Sequence, residues 1–266
     1  MKTNYHTHTT RCKHAVGSDE EYVVSAIKGG YTELGFSDHA PWKYESPYVS
    51  HIRMNLDDFD DYHRSILKLK EKYAEDIHIL IGLEVEYFPK YMDWLKAVIK
   101  EKKLDYIILG NHFDGSDEYG SYYGYACQDN DNLKKYKDDA IEALKTGLYS
   151  YMAHPDLFMR GRSHFDDYAR QISEELCIAC KEMNIPLEYN LAGAEHDDRH
   201  HVTQYPHPEF WKVASKVGNK VIIGVDAHHN FALERNYYYD QAKQMIASLG
   251  LERVEKIPLV NFDVLD

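Results

Sequence analysis

Seven times along the chain, a short apolar or β-branched run is followed by a longer amphipathic stretch. The runs fall at residues 3–6, 34–37, 77–87, 106–110, 149–153, 187–190 and 221–224. Helical periodicity fills 20–28, 56–74, 131–146, 166–183, 208–216 and 236–249, and Pro89 opens one more helix where its missing N–H does no harm. Within 56–74, Phe59, Tyr62, Ile66, Leu69 and Tyr73 recur at helical spacing. Ser18-Asp19 reads as an N-cap and Gly147 as a C-terminal stop. Strand–helix alternation predicts parallel strands, and runs apolar on both faces suit a buried parallel sheet. A doubly wound sheet and a closed barrel both fit. No Pro/Gly/Ser-rich linker interrupts the 266 residues, so residues 1–266 are expected to form a single domain.

The polar residues separate the two architectures. His6 and His8 close the first run as H-x-H, a spacing that turns both imidazoles to one side of a strand. His14 lies in the next loop, and Asp38-His39 ends the second run. Glu84 falls late in the third, His112 follows the fourth, His154 follows the fifth, and Asp226 and His228 follow the seventh. In a barrel, functional residues come from the C-terminal ends of several strands, which meet at one mouth. Six of the seven runs end in this way, so the pattern predicts a barrel with a shared metal site. Imidazole with carboxylate suits Zn, Mn or Fe.

Composition narrows the partners. A net charge of −13 argues against a protein whose main affinity is for nucleic-acid phosphates. No apolar run reaches the roughly 18–20 residues that cross a bilayer, and no apolar leader follows the N-terminus. Four irregularly spaced cysteines, Cys12, Cys127, Cys177 and Cys180, fit a reducing cytoplasm better than a disulfide scaffold. Cys177 and Cys180 form a C-x-x-C inside a helical pattern, where core packing is expected.

The ordered set His6-x-His8, His14, Asp38-His39, Glu84, His112, His154 and Asp226-x-His228 resembles the PHP (polymerase and histidinol phosphatase) family, from the first strand to the last. The resemblance implies a distorted (β/α)7 barrel, like a TIM barrel, with a trinuclear metal centre. It assigns His6, His8, Glu84 and Asp226 to one metal. Glu84 would bridge to a second, held with His112 and His154, and His14, His39 and His228 would hold a third. Three divalent ions outweigh the charge of Glu84 and Asp226, so such a pocket attracts a phosphate dianion even in an acidic chain.

The branch most resembled is the one that hydrolyses L-histidinol phosphate to L-histidinol and phosphate in histidine biosynthesis. A metal-bridging hydroxide would attack phosphorus, with Glu84 and Asp226 holding the metals. Arg160, after the fifth strand, is expected to contact phosphate, because a planar guanidinium matches its oxygens bidentately. Arg199 is a second candidate, with His196, His200 and His201 around it. Asn190, Asp114 and Asp117 are candidates to receive the cationic end of such a substrate, and Tyr122, Tyr123 and Tyr125 to wall it in. Asp38 is a candidate orienter or general acid. His51, His63, His78, His164, His207 and His229 have no partner motif and read as ordinary helix or loop residues. Alternatives are a phosphatase or phosphodiesterase of the same family acting on phosphotyrosine, a nucleotide or an oligonucleotide, and a non-catalytic metal-binding domain.

Overall fold

The structure, a computed structural model, describes residues 1–260. Strands β1 (Thr3–Asn4), β2 (Glu33–Phe36), β3 (His78–Val85) and β4 (Tyr106–Leu109) form a parallel sheet in chain order. Strands β5 (Leu187–Asn190), β6 (Lys220–Gly224) and β7 (Glu252–Arg253) form a second. The pairing is staggered: the first half of β3 lies on β2 (Glu33↔His78 to Phe36↔Ile81) and its second half on β4 (Gly82↔Tyr106 to Val85↔Leu109). Such a stagger is what closing a sheet into a barrel requires.

Three isolated bridges complete the barrel. Met152 pairs in parallel with Leu109 on one side and Leu187 on the other. Ala153 N–H donates to Leu109 O (2.9 Å) and Glu188 N–H to Met152 O (2.9 Å). The segment expected as a strand at 149–153 lies in this place, with Ser150 N–H on Ile107 O (2.8 Å) and Leu109 N–H on Tyr151 O (3.0 Å), and the chain turns away at His154, whose φ is +27°. Opposite, Thr7 bridges Ala227, with Ala227 N–H on His6 O (3.1 Å) and His8 N–H on Ala227 O (3.0 Å). The expected distorted barrel is therefore present. β7 was not foreseen; two residues carry no periodic signal.

The helices lie between successive strands: α1 (Asp19–Lys28), α2 (Phe59–Lys72), α3 (Met92–Lys102), α4 (Tyr123–Ala126), α5 (Asn130–Lys145), α6 (Asp167–Glu182), α7 (Leu191–His200), α8 (Pro208–Val217) and α9 (Tyr237–Ser248). α1 starts in a capping box, with Ser18 and Glu21 bonding each other's backbone N–H. α2 buries Phe59, Tyr62, Ile66 and Leu69, the stripe read from the sequence. α6 buries Cys177 and Cys180 in the core, and all four cysteines are free. α4 and α7 were not expected. α7 continues directly from β5, and its sequence has no apolar stripe; Asn190 caps it by accepting from Gly193 N–H (2.7 Å).

Period-two alternation sets what faces the interior. Ile79, Ile81, Ile107 and Leu109 pack outward under the helices, while Leu80, Tyr106, Ile108 and Ile222 share an inner cluster with Tyr5 and Tyr151. Continuing that alternation along β3 brings Gly82 and then Glu84 to the inner face. Along β4 and β6 it brings Gly110 and Gly224. A Cβ at Gly110 would lie 2.4 Å from Glu84 Oε1, and one at Gly224 would lie 1.8 Å from Glu188 Oε1. Glycine at these two points leaves room for buried carboxylates.

Candidate metal centre

Two ligand pairs are set by one pairing. Because Thr7 and Ala227 are bridged in register, the flanking His6, His8, Asp226 and His228 sit side by side. His39 and Glu84 are likewise a bridged pair. His154 and Asp226 both have positive φ, +27° and +51°. For non-glycine residues that conformation is strained, and it concentrates at functional sites.

Glu84 is buried at the centre of the cluster, and its two oxygens face different groups. Oε2 lies 3.4 Å from His6 Nε2, 3.5 Å from His8 Nε2 and 3.0 Å from His39 Nδ1. Oε1 lies 3.0 Å from His154 Nε2 and 3.3 Å from His112 Nε2. Asp226 Oδ1 lies 3.4 Å from His6 Nε2, 3.2 Å from His8 Nε2 and 3.3 Å from His228 Nδ1. At the outer edge, His228 Nε2 and His14 Nε2 are 2.9 Å apart. Donor atoms of His6, Glu84 and His154 lie within 4.8 Å of one another, as do those of His6, His8 and Asp226, and those of His8, His39 and His228. All nine residues expected as ligands are thus brought together.

Whether this set suits a cation can be read from its unmet polar atoms and its charge. The buried His6 Nε2, His8 Nε2, His39 Nδ1 and Asp226 Oδ1 have no hydrogen-bond partner among the described residues. Burial pushes a carboxyl pKa up, but His112, His6 and His39 around Glu84, and His6, His8 and His228 around Asp226, hold both well below the usual range. In return, burial disfavours a charged His112, yet Glu84 and Glu86 raise it to about 9. Burial and neighbouring His8 push His228 down to about 3. The inner carboxylates demand positive charge, and imidazoles that give up their proton to a cation there are the donors that bind Zn, Mn or Fe.

A cavity of about 610 Å³ opens on the centre, lined by Glu84, His112, His154 and Asp226 and by Phe113, Tyr122, Tyr125, Arg160 and Tyr205. Arg160 donates to Tyr122 Oη (3.1 Å) and lies 6.0, 5.6 and 5.9 Å from the rings of Tyr122, Tyr125 and Tyr205. Tyr123, by contrast, points into the core, where its hydroxyl donates to Asp139 (2.5 Å).

Several expectations for the substrate side are corrected. Asn190 is buried with its amide committed: Nδ2 donates to Glu188 (2.9 Å) and Asp226 (3.1 Å), and Oδ1 caps α7. It supports Asp226 and does not line the cavity. Asp117 is buried against Arg53 (3.0 Å), and Asp114 pairs with Lys135 (2.9 Å). Asp38 is enclosed behind His8, where it accepts from His39 N–H (2.9 Å), Thr9 N–H (3.2 Å) and the Thr9 hydroxyl. Burial there excludes a general acid reaching the cavity and leaves orientation. Arg199 is exposed, paired with Glu195, and lines a 180 Å³ recess with His196, His200 and Arg235 that meets the centre only at Asp226 and His228. Sequence reasoning missed Tyr205, which has no motif, and the buried acids Glu86 and Glu188. A glutamate inside an otherwise apolar parallel strand was the available signal for Glu188.

A parallel α/β barrel that gathers histidines and carboxylates from its strand ends defines a metal-binding barrel of hydrolase type. The PHP domain model matches residues 4–192, and the chain belongs to the PHP domain family. A protein of Deinococcus radiodurans named "Probable histidinol-phosphatase" is 28% identical over 231 residues, 84% of this chain and 85% of that one. The Bacillus subtilis protein named "Histidinol-phosphatase" is 30% identical over 139 residues, 49% of each chain. A crystal structure of histidinol phosphate phosphatase from Lactococcus lactis, complexed with zinc, L-histidinol and phosphate, shares the fold with a TM-score of 0.70. It is 19% identical and the match covers 96% of this chain and 98% of that one. Among the described residues no helix is long and apolar enough to cross a membrane.

Proposed function

We propose that this chain is a metal-dependent phosphomonoesterase that hydrolyses L-histidinol phosphate to L-histidinol and phosphate, a step of histidine biosynthesis. The observation that carries the reading is Glu84: each of its oxygens faces a separate group of imidazoles at the end of a cavity walled by Arg160. His6, His8, Glu84 and Asp226 would hold one ion, Glu84, His112 and His154 a second, and His14, His39 and His228 a third. When bound, divalent Zn, Mn or Fe ions supply a water of lowered pKa and positive charge for the phosphoryl oxygens.

The chain's own groups do the rest. Arg160 spends one N–H on Tyr122 and keeps others for two phosphoryl oxygens. Tyr122, Tyr125 and Tyr205 offer ring faces to the organic part of the ester. Curated relatives named for this activity support the substrate. Ligands drawn from His6 to His228 support one domain over residues 1–266, and four free buried cysteines support a cytoplasmic location.

The test is phosphate release from L-histidinol phosphate, other monoesters, a phosphotyrosine peptide and an oligonucleotide, on protein whose metals have been quantified. A strong preference for histidinol phosphate with two to three metals per chain is expected. Activity confined to phosphotyrosine or nucleic acid would overturn the substrate, and no release from any ester would overturn the enzyme.

A further inference from the structure

Behind the ligand imidazoles stands a second tier of buried acids. Glu188, fully buried in β5, has Oε1 2.8 Å from His6 Nδ1. Its Oε2 accepts from the backbone N–H of His154 (3.0 Å), the residue held at φ +27°. The same oxygen accepts from Asn190 Nδ2 (2.9 Å), which also reaches Asp226 (3.1 Å). One carboxylate therefore touches, directly or through one amide, three of the candidate ligands. On the far side of the centre, Glu86 Oε1 lies 2.9 Å from His112 Nδ1. Arg53 clamps Glu86 bidentately (2.9 and 3.0 Å), Trp42 donates to it (3.1 Å), and Arg53 also holds Asp117 (3.0 Å).

We propose that Glu188 and Glu86 are positioning residues: each accepts the Nδ1–H of one imidazole, His6 or His112, and so presents its Nε2 lone pair to the metal centre. The inference rests on the metal-centre reading above. A neutral imidazole keeps its proton on the nitrogen with the shorter carboxylate contact, here Nδ1 at 2.8 Å in His6 and 2.9 Å in His112, which leaves the other nitrogen as the free donor. In both residues that other nitrogen faces the cluster: His6 Nε2 lies 3.4 Å from Glu84 and from Asp226, and His112 Nε2 3.3 Å from Glu84. His39 differs. Its Nδ1 is the nitrogen facing Glu84, and among the described residues no carboxylate pairs with its Nε2.

Glutamine is the discriminating substitution, because it keeps shape and loses one acceptor. At position 188 the three close neighbours, His6 Nδ1–H (2.8 Å), the Asn190 amide (2.9 Å) and His154 N–H (3.0 Å), are donors, and the Tyr151 hydroxyl lies farther off at 3.4 Å. The new NH2 must face one of them, and the cheapest relief is a flipped His6 tautomer that turns an N–H toward the metals. At position 86 the neighbours His112, Arg53 and Trp42 are likewise all donors.

The experiment measures zinc affinity of the purified full chain by chelator competition, with no substrate present. Glu188→Gln and Glu86→Gln are each expected to weaken the binding of one zinc by about 10- to 100-fold, the usual cost of losing such a support. Affinities equal to wild type in both variants would overturn the inference while leaving the metal centre standing. A wild-type chain that binds no zinc would overturn the metal centre, and this inference with it. Because a variant with a disturbed core can fail to fold, the tautomers are also read in the zinc-loaded wild type by long-range ¹⁵N–¹H correlation. Nδ1–H at His6 and His112 is expected, and Nε2–H at either would overturn the assignment.

Discussion

The inner and outer halves of the histidine cluster are built differently. His6, His8 and His154 are buried around Glu84, and His6, His8 and His112 each have a carboxylate at Nδ1, from Glu188, Asp38 and Glu86. At the rim, His14 is exposed and His228 partly so, and their Nδ1 atoms bond to backbone carbonyls, Cys12 O (2.8 Å) and Asp226 O (3.1 Å); His228 Nδ1 also lies 3.3 Å from Asp226 Oδ1, an oxygen of the cluster itself. A carboxylate behind an imidazole raises its basicity and fixes its ring; a neutral carbonyl does less of both. The inner half is thus a braced floor that the cavity reaches at Glu84, His112 and His154, and the rim is the part more open to solvent.

If that division is right, damage to the floor is the more severe. Glu84→Ala and His8→Ala are expected to lower kcat by about a thousandfold or more, since each removes a donor from the middle of the site. Circular dichroism should stay unchanged, because neither loss empties apolar core volume. Near-normal turnover in either variant, measured with quantified metal, would refute the central role of the floor. His14→Ala tests the rim. It should cost about 10- to 100-fold in kcat/KM and release one metal to a weak chelator while the others stay bound. Simultaneous loss of all metals would erase the distinction between the two halves.

The cavity wall sharpens the comparison further. Arg160→Ala removes a guanidinium that stands beside the metal floor and forms no ion pair among the described residues. A charged hydrogen bond contributes about 1.5–3 kcal/mol, so kcat/KM for a monoester should fall by roughly 10- to 150-fold. Metal content should not change. An unaltered kcat/KM would take Arg160 out of the site.

What the sequence disclosed and what it hid follow one physical division. Ligands at strand ends were legible, because strand–helix alternation says which ends converge and the H-x-H spacing says which side chains share a face. Glu84 could be placed late in its strand before any geometry was known. Of the supporting tier only Asp38, next to a ligand in the chain, was legible. Glu188 and Glu86 act through a hydrogen bond to a residue far away in the chain, 182 and 26 positions off, and no local spacing encodes such a pairing. Asn190 shows the same blindness in reverse: a polar residue at a strand end looks available, but here it caps α7 and holds Asp226. The fifth strand was overdrawn for a related reason. Its apolar run is real and residues 150–153 still bond to their neighbours, but the chain turns at His154 and only Met152 is bridged on both sides.

The smallest effect belongs to the arginine that the sequence could not tell from Arg160. Both follow a strand, both sit among aromatic or histidine residues, and both line a cavity. Arg160 is half enclosed by three tyrosine rings in the 610 Å³ cavity that reaches Glu84. Arg199 has a side chain 58% exposed, is held by Glu195 four residues earlier on α7, and lines the smaller recess. An exposed i,i+4 pair of this kind contributes about 0.3–0.5 kcal/mol, and Arg235 also pairs with Glu195 (2.6 Å) and would remain. Arg199→Ala should therefore leave kcat/KM within about twofold of wild type, a change of about 0.4 kcal/mol. A tenfold loss, matching that of Arg160→Ala, would mean that the recess beside α7 takes part of the substrate, and that the working site extends past His228 to both arginines.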